Sequence, residues 1–347
     1  MGTGERSFWA PGRVNLIGEY TDLAGGLVLP VALDLGVRID AAPSERTSLR
    51  SDGYDQPAEL AADGSGFEGG GWGRYVAAVA AELALLGRPS VGIEGCVTTT
   101  LPAGAGLSSS AALEVAVGVA LCAVADFSLE PMTLAQAAQR SELRAVGVPC
   151  GIMDQAASLL GGAGHALLLD TGTLEHELVE LPEELALVIV DSGISRHLES
   201  SAYATRQREL EQALNATGPL TESLARRRRH VETENVRVRR VVDALRARRF
   251  DDLGELFRAG HESLRRDLEV TIPPLDRLVD LAYAHGAVAA RMTGGGFGGS
   301  IVALAAADEA QALGAAVVHD YGDRGTAYVC TASDGARELA EPLDRLL

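Results

Sequence analysis

Three charged side chains stand in a stretch that otherwise reads as strand, "APGRVNLIGEYTDLAGG" from Ala10 to Gly26. They are Arg13, Glu19 and Asp22. One guanidinium and two carboxylates beside glycine turns can bind a polyol, because carboxylates accept hydrogen bonds from adjacent hydroxyls. Arg13 can equally pair with Glu19 or Asp22 simply to hold the segment. A further carboxylate, Asp154, opens an apolar helical run in "VPCGIMDQAASLLGG". Asp is also a common helix cap, so both readings stand.

Two glycine-rich stretches carry a different chemistry. "LPAGAGLSSSAALEVAVGVAL" begins at Leu101 and passes from Pro, Gly and Ser to Ala, Leu and Val. A strand ending near Thr100, a glycine turn and a helix starting at the serines would place unpaired amides and a partial positive charge at one point. Glycine lets further amides approach a ligand, so the junction can bind an anion without lysine. The serine hydroxyls can cap the helix or contact a metal held by phosphates. Taken alone, a capped helix after a flexible turn explains the pattern as well. The second stretch, "RMTGGGFGGS" from Arg291 to Ser300, has five glycines in the seven positions Thr293 to Gly299. Such a loop between two strands weakens them unless something uses the exposed backbone. Two loops of this kind predict two sides of one phosphate-bearing ligand.

The 347 residues are enough for two domains, which the patterning divides near Gly164 into 1–164 and 165–347. In the first, Gly26 to Pro43 reads as paired strands and Tyr75 to about Leu86 as a helix. "SVGIEGCVTTTLP" reads as a strand, Ser108 to Ala125 as a buried helix, and Thr133 to Ala145 as another. In the second, short strands "HALLLD" and "LALVIVD" precede long charged helices from Ala202 to Arg266. The last hundred residues alternate helix and strand and end in a helix. That order predicts an antiparallel sheet with helices on one face, an α+β architecture overall.

Composition removes several classes of function. The net charge of −18 argues against nucleic acid or an anionic membrane as partner. All 30 basic residues are arginines, which excludes a lysine-dependent phosphate loop and any lysine Schiff base. The run Arg226 to Arg229, near Glu222, Glu232 and Glu234, predicts a solvated, ion-paired face. Cys96, Cys122, Cys150 and Cys330 lack metal or redox spacing and read as buried thiols in a reducing compartment. With no apolar signal core and no long uncharged apolar run, the expectation is a cytoplasmic, monomeric protein.

The motifs "GRVNLIGEYTD", "LPAGAGLSSSAALEVA", "VPCGIMDQ" and "ARMTGGGFGG" resemble, in this order, those of the GHMP kinases and within them the galactokinases. "GWGRYV", "DSGISRHLESSAYATRQRE" and "HESLRRDLEV" add to the resemblance. It implies a two-domain GHMP-kinase fold, with a mixed-sheet N-terminal domain, an antiparallel-sheet C-terminal domain and the active site in the cleft between them. ATP would lie against Pro102, Gly104, Gly106, Leu107, Ser108, Ser109 and Ser110, with adenine near Trp72 and Tyr75. Mg²⁺ would be held by Ser109 and Glu142. The sugar would meet Glu19, Tyr20, Asp22, Gly151, Asp154 and Tyr203, and Asp154 with Arg13 would form the catalytic pair. The loop Thr293–Gly299 would close the phosphate end.

The reaction so implied is ATP-dependent phosphorylation of the anomeric hydroxyl of D-galactose. The chain departs from the family pattern in several places, the first of them in the sugar-binding segment. Tyr20 and Leu23 stand where the family has His and Tyr, Ala24 where it has Asn, and "DLEVT" where it has DYEVS. Tyr20 is expected to reach the sugar or to narrow the pocket at its exocyclic end. The departures leave room for an anomeric kinase of another free sugar, such as an arabinose, an amino sugar or a longer-chain sugar. A non-catalytic sugar sensor would show lesions in the GLSSSAA loop, which is complete here.

Overall fold

The structure, a computed structural model, describes residues 4–194 and 200–340. The chain opens with β1 (Arg6–Asn15), a 3₁₀ turn (Thr21–Ala24), β2 (Leu27–Val28), β3 (Pro30–Ser44), β4 (Arg46–Ser51) and β5 (Tyr54–Ala61). Then come α1 (Gly73–Leu85), β6 (Gly92–Thr99), α2 (Ser109–Val124), α3 (Pro131–Val146) and α4 (Met153–Leu160). The strands β7 (His165–Asp170), β8 (His176–Glu180) and β9 (Leu185–Asp191) follow. The helices α5 (Ser200–Asn215), α6 (Glu222–Arg246) and α7 (Phe250–Ser263) form the charged stretch, α7 running on into a π turn (Leu264–Leu268). The last elements are α8 (Pro273–Ala284), β10 (Ala289–Met292), β11 (Ser300–Ala306), α9 (Ala310–Tyr321), β12 (Thr326–Cys330) and β13 (Arg337–Leu339).

A six-stranded sheet runs β13-β1-β3-β6-β4-β5, and it is mixed because β4 and β6 are parallel. The helix α2 lies against β1 and β3 with Leu121, Val117 and Ala112 fully buried. A four-stranded antiparallel sheet runs β10-β11-β9-β12. A third sheet, β2-β7-β8, joins residues on both sides of Gly164.

Several expectations change on contact with the fold. The strands within Gly26 to Pro43 do not pair with each other: β2 pairs with β7, and β3 with β1 and β6. One residue separates them, too little chain to fold back. The four-stranded sheet has helices on both faces. Leu187 and Ile189 of β9 share a core with α6 and α7, while Val188 and Val190 share one with α8 and α9. Burial on both faces explains the unbroken apolar run of that strand. The terminal helix is absent from Arg337–Leu339, which instead pairs with β1 and closes its open edge. Arg6 fastens that strand by pairing with Glu338 at 2.6 Å. The hairpin β4–β5 and strand β8 were not anticipated, although Asp52-Gly53 is a turn signal.

The arginine run is ion-paired, but its middle is not solvated. Arg227 is 1 % exposed and reaches Glu209 at 2.9 Å and Glu269 at 2.5 Å. Glu234, expected on the same solvated face, is fully buried elsewhere. Cys96 is exposed and Cys150 half-buried, whereas Cys122 and Cys330 are buried, and all four are free thiols. Among the described residues, no helix is long and apolar enough to cross a membrane.

Candidate active site

Arg13 reaches the site through a defect in its own strand. The β1–β3 register shifts between Pro11 and Arg13, so a bulge re-aims the side chain that follows. Gly12 sits at that bulge, where a Cβ would meet the Leu101 side chain at 2.5 Å and the Leu107 carbonyl at 2.6 Å. Only a residue without a side chain lets the loop 101–107 lie so close. The Arg13 amide then donates to the Leu107 carbonyl at 3.2 Å, and its Nη1 to the Gly106 carbonyl at 3.0 Å.

The same guanidinium holds Asp154 in a two-point grip, Nε to Oδ1 and Nη2 to Oδ2, both at 2.8 Å. Asp154 is therefore Arg13's partner, and the simpler pairing of Arg13 with Glu19 or Asp22 does not occur. Nor does Asp154 cap its helix, for it lies in the first turn of α4, one residue past Met153. The Ser108 hydroxyl also donates to Asp154 Oδ2, at 2.5 Å. Ser108 precedes α2 in a left-handed conformation (φ 58°) and makes no side-chain cap bond. The first amides of α2 consequently keep their capacity to meet an anion.

The two glycine loops come together as their composition predicts. The Ser300 hydroxyl donates to the Ala105 carbonyl at 2.7 Å, tying the second loop's exit to the first. Thr293 accepts from the Asn15 amide at 3.0 Å and donates to the Asn15 carbonyl at 2.9 Å. Arg13, two residues earlier on β1, thus stands beside both loops.

On the other side of Asp154 lies Asp22. A Cβ at Gly151 would fall 1.7 Å from Asp22 Oδ2, so Gly151 is the space that Asp22 occupies. Burial, and then the Asp154 charge, push the Asp22 carboxyl up to about 7, with Arg13 opposing them. The Tyr203 phenol is also pushed up, by burial first and then by Asp22 and Asp154. The Tyr203 ring lies 5.5 Å from that of Tyr20, tilted by 45°, and the Tyr20 hydroxyl donates to the Gly295 carbonyl at 2.8 Å.

Glu19 departs from its expected place. Its side chain is 1 % exposed, and Oε2 accepts from Arg291 at 2.5 Å. Arg291, fully buried just before the glycine loop, also reaches Glu234 Oε1 at 2.7 Å. An arginine without water needs counter-charge nearby, and Glu19 supplies part of it. Burial pushes Glu19 up to about 7 against the pull of Arg291, whereas Glu234, held by Arg291, His230 and Arg237 against its own burial, falls to about 2. Glu19, Arg291 and Glu234 thus pin the segment after β1 to α6 and β10.

Glu142 lies beneath the start of α2. The hydroxyl that reaches it is that of Ser110, at 3.0 Å, whereas Ser109 is exposed and makes no such bond. Gln155 Nε2 donates to Glu142 Oε2 at 2.7 Å and to Glu114 Oε2 at 3.1 Å, and the Cys150 thiol donates to Glu142 at 3.2 Å. Glu114 is fully buried and, by burial and then the Glu142 charge, pushed up to about 10. Near neutral pH the Glu114 carboxyl therefore keeps its proton and adds no negative charge beside Glu142. Among the described residues, no three His, Cys, Asp or Glu side chains converge on a metal position. The Ser110 hydroxyl and the Glu142 carboxylate are hard oxygen donors that suit a Mg²⁺ ion completed by phosphates.

Trp72 is 8 % exposed, donates to the Gln56 carbonyl at 3.3 Å and lies 5.9 Å from the Tyr54 ring. Tyr75 is half-buried, with the Arg74 guanidinium 5.2 Å over its ring. Part of the motif "DSGISRHLESSAYATRQRE", residues 195–199, lies outside the described residues. Gln155, Arg291 and Glu234 went unread as site-building residues, and Ser108, expected against ATP, also holds Asp154. For Arg291 the signal was there, a charge inside an apolar strand.

A mixed six-stranded sheet and an antiparallel four-stranded sheet, with two glycine loops meeting over an Arg–Asp pair, define a GHMP kinase. Family models for the GHMP kinase N-terminal and C-terminal domains match residues 74–162 and 241–323. A third model, the galactokinase galactose-binding signature, matches residues 2–43. The chain belongs to the galactokinases. It is 33 % identical to a galactokinase of Lactococcus lactis solved in complex with galactose, over 97 % of this chain and 96 % of that one, with a TM-score of 0.91. The mevalonate kinase of Methanococcus jannaschii shares the fold at 19 % identity, over 96 % of this chain and 100 % of that one, with a TM-score of 0.74. The L. major mevalonate kinase in complex with R-mevalonate does so at 20 % identity, over 96 % and 97 %, with a TM-score of 0.70.

Proposed function

We infer that the protein transfers the γ-phosphoryl group of ATP to the anomeric hydroxyl of D-galactose. The observation that carries this reading is Asp154, held between Arg13 and Ser108 where the two glycine loops meet, with Asp22 and Gly151 alongside. An ionised carboxylate has about four lone-pair sites, and three donors already occupy Asp154, so one site on Oδ1 remains for a sugar hydroxyl. Asp154 takes the proton of that hydroxyl as its oxygen attacks phosphorus, while Arg13 stabilises the charge left behind.

The sugar lies against Asp22, Gly151, Tyr203 and the ring of Tyr20, where Asp22 accepts from neighbouring hydroxyls. Glu19 supports this segment from behind through Arg291. The phosphates lie against Pro102 to Ser110, with Gly104, Gly106 and the opening amides of α2 turned to them, and adenine near Trp72 and Tyr75. Glu142 with Ser110 would hold Mg²⁺, in place of the Ser109 that the resemblance implies. When bound, that ion draws negative charge off the phosphoryl group. The resemblance puts the active site in the cleft between domains 1–164 and 165–347. A family model ending at residue 162 supports that boundary, although β13 returns to the first sheet.

A panel of free sugars incubated with Mg·ATP tests the reading. Galactose should be consumed and lose its reducing end, because the phosphate goes to the anomeric oxygen. An enzyme that ignored galactose and phosphorylated another free sugar would refute the substrate and leave the kinase standing.

A further inference from the structure

Beyond the Asn15–Thr293 exchange, the sugar-binding segment reaches the middle of the second glycine loop through Tyr20. Tyr20 is 4 % exposed and donates its hydroxyl to the Gly295 carbonyl at 2.8 Å. Its ring packs against Tyr203 at a tilt of 45°, and Tyr20, Tyr203, Leu23 and the loop's own Phe297 belong to one apolar cluster. The Tyr20 backbone is left-handed (φ 67°), a conformation that side-chain-bearing residues seldom adopt. Its neighbours enforce it. Thr21 Oγ1 donates to the Gly18 and Leu27 carbonyls at 2.7 and 2.6 Å, and His230 donates to the Glu19 carbonyl at 3.1 Å.

The flanks of the loop are tied down separately. Thr293 exchanges two bonds with Asn15, the Phe297 amide donates to the Val270 carbonyl at 2.8 Å, and the Gly299 amide to the Ile194 carbonyl at 3.0 Å. Between these ties lie Gly294, Gly295 and Gly296, which have no side chains of their own to anchor and the most backbone freedom to lose. The Tyr20 hydroxyl takes hold in the middle of the three.

We propose that Tyr20 is a positioning residue for the phosphate end of the site: its hydroxyl latches the glycine loop, while its ring alone serves the sugar. The proposal rests on the kinase reading above for its kinetic arm only. A sugar-contacting phenol and a loop-latching phenol differ in what the loss of the oxygen does. Tyr20→Phe keeps the ring against Tyr203 and removes the bond to Gly295. Hydrogen–deuterium exchange of the ligand-free protein should then show the peptide spanning 293–299 exchanging about fivefold faster, the factor expected for one net hydrogen bond. The KM for ATP should rise by a similar factor, with the KM for galactose changed by less than about twofold. Unchanged exchange with a raised galactose KM would overturn the latch and make the hydroxyl a sugar contact. Because exchange is read without substrate, a wild type inactive on galactose whose variant still exchanges faster would overturn the substrate reading and keep the latch.

Discussion

Arg13 and Asp154 lie 141 positions apart in the chain and meet through two hydrogen bonds of equal length, 2.8 Å each. The pair is anchored on opposite sides. Arg13, 4 % exposed, is gripped by the carbonyl of Gly106, and Asp154 by the hydroxyl of Ser108. The loop 102–110 thus holds both members, so a shift of the loop moves the acid and the cation together.

Asp154→Asn should lower turnover by at least about a hundredfold, in line with general-base contributions. The amide cannot take a proton, but the backbone amides at the start of α2, proposed above to meet phosphate, remain. ATP affinity, measured by equilibrium binding, should stay within a few-fold of wild type. Turnover near the wild-type value would remove Asp154 from the chemical step.

Ser110→Ala and Ser109→Ala separate the two serines at the start of α2. Only the Ser110 hydroxyl bonds Glu142. Titrating Mg²⁺ at fixed ATP, the half-activating concentration should rise several-fold in the Ser110 variant and little in the Ser109 variant. The reverse order would return the cation to Ser109.

Asp22 and Glu19 make the protein sensitive to pH. Both carboxyls are pushed up to about 7, chiefly by burial. Between the ordinary carboxylate range and pH 7 the folded protein keeps protons that the unfolded chain has released, so their contribution to stability falls as pH rises through that window. Asp22→Asn removes one of the two. Its melting temperature relative to wild type should therefore climb between about pH 5 and pH 8. A difference independent of pH would show that Asp22 is ionised throughout.

Arg291→Met tests the buried ion cluster. It leaves Glu19 without its cation and Glu234 with Arg237 alone, and removing one partner of a buried pair costs roughly 3–5 kcal/mol. Urea unfolding should report a loss of that order. A loss under about 1 kcal/mol would mean that both carboxyls are satisfied otherwise.

How much of this was legible depended on whether the signal was local. The glycine–serine junction after β6, the apolar α2 and the glycine loop between β10 and β11 were plain, because chain direction, helix onset and backbone exposure are encoded within a few residues. The motifs likewise named Arg13 and Asp154, and the family with them. What local pattern could not carry was which charges face each other. Glu19 and Asp22 are three residues apart and look alike, yet one is drawn into the core by Arg291 while the other stays beside Asp154. Ser108, Ser109 and Ser110 are adjacent, yet one meets Asp154, one is exposed and one meets Glu142. Successive residues around a helix start point in different directions, and their partners come from 46 and 32 positions away. The sequence by itself determined the family, the glycine loops and the kinds of group available. The tertiary structure decided their pairing, since a buried charge settles beside whichever opposite charge the packed elements bring within reach.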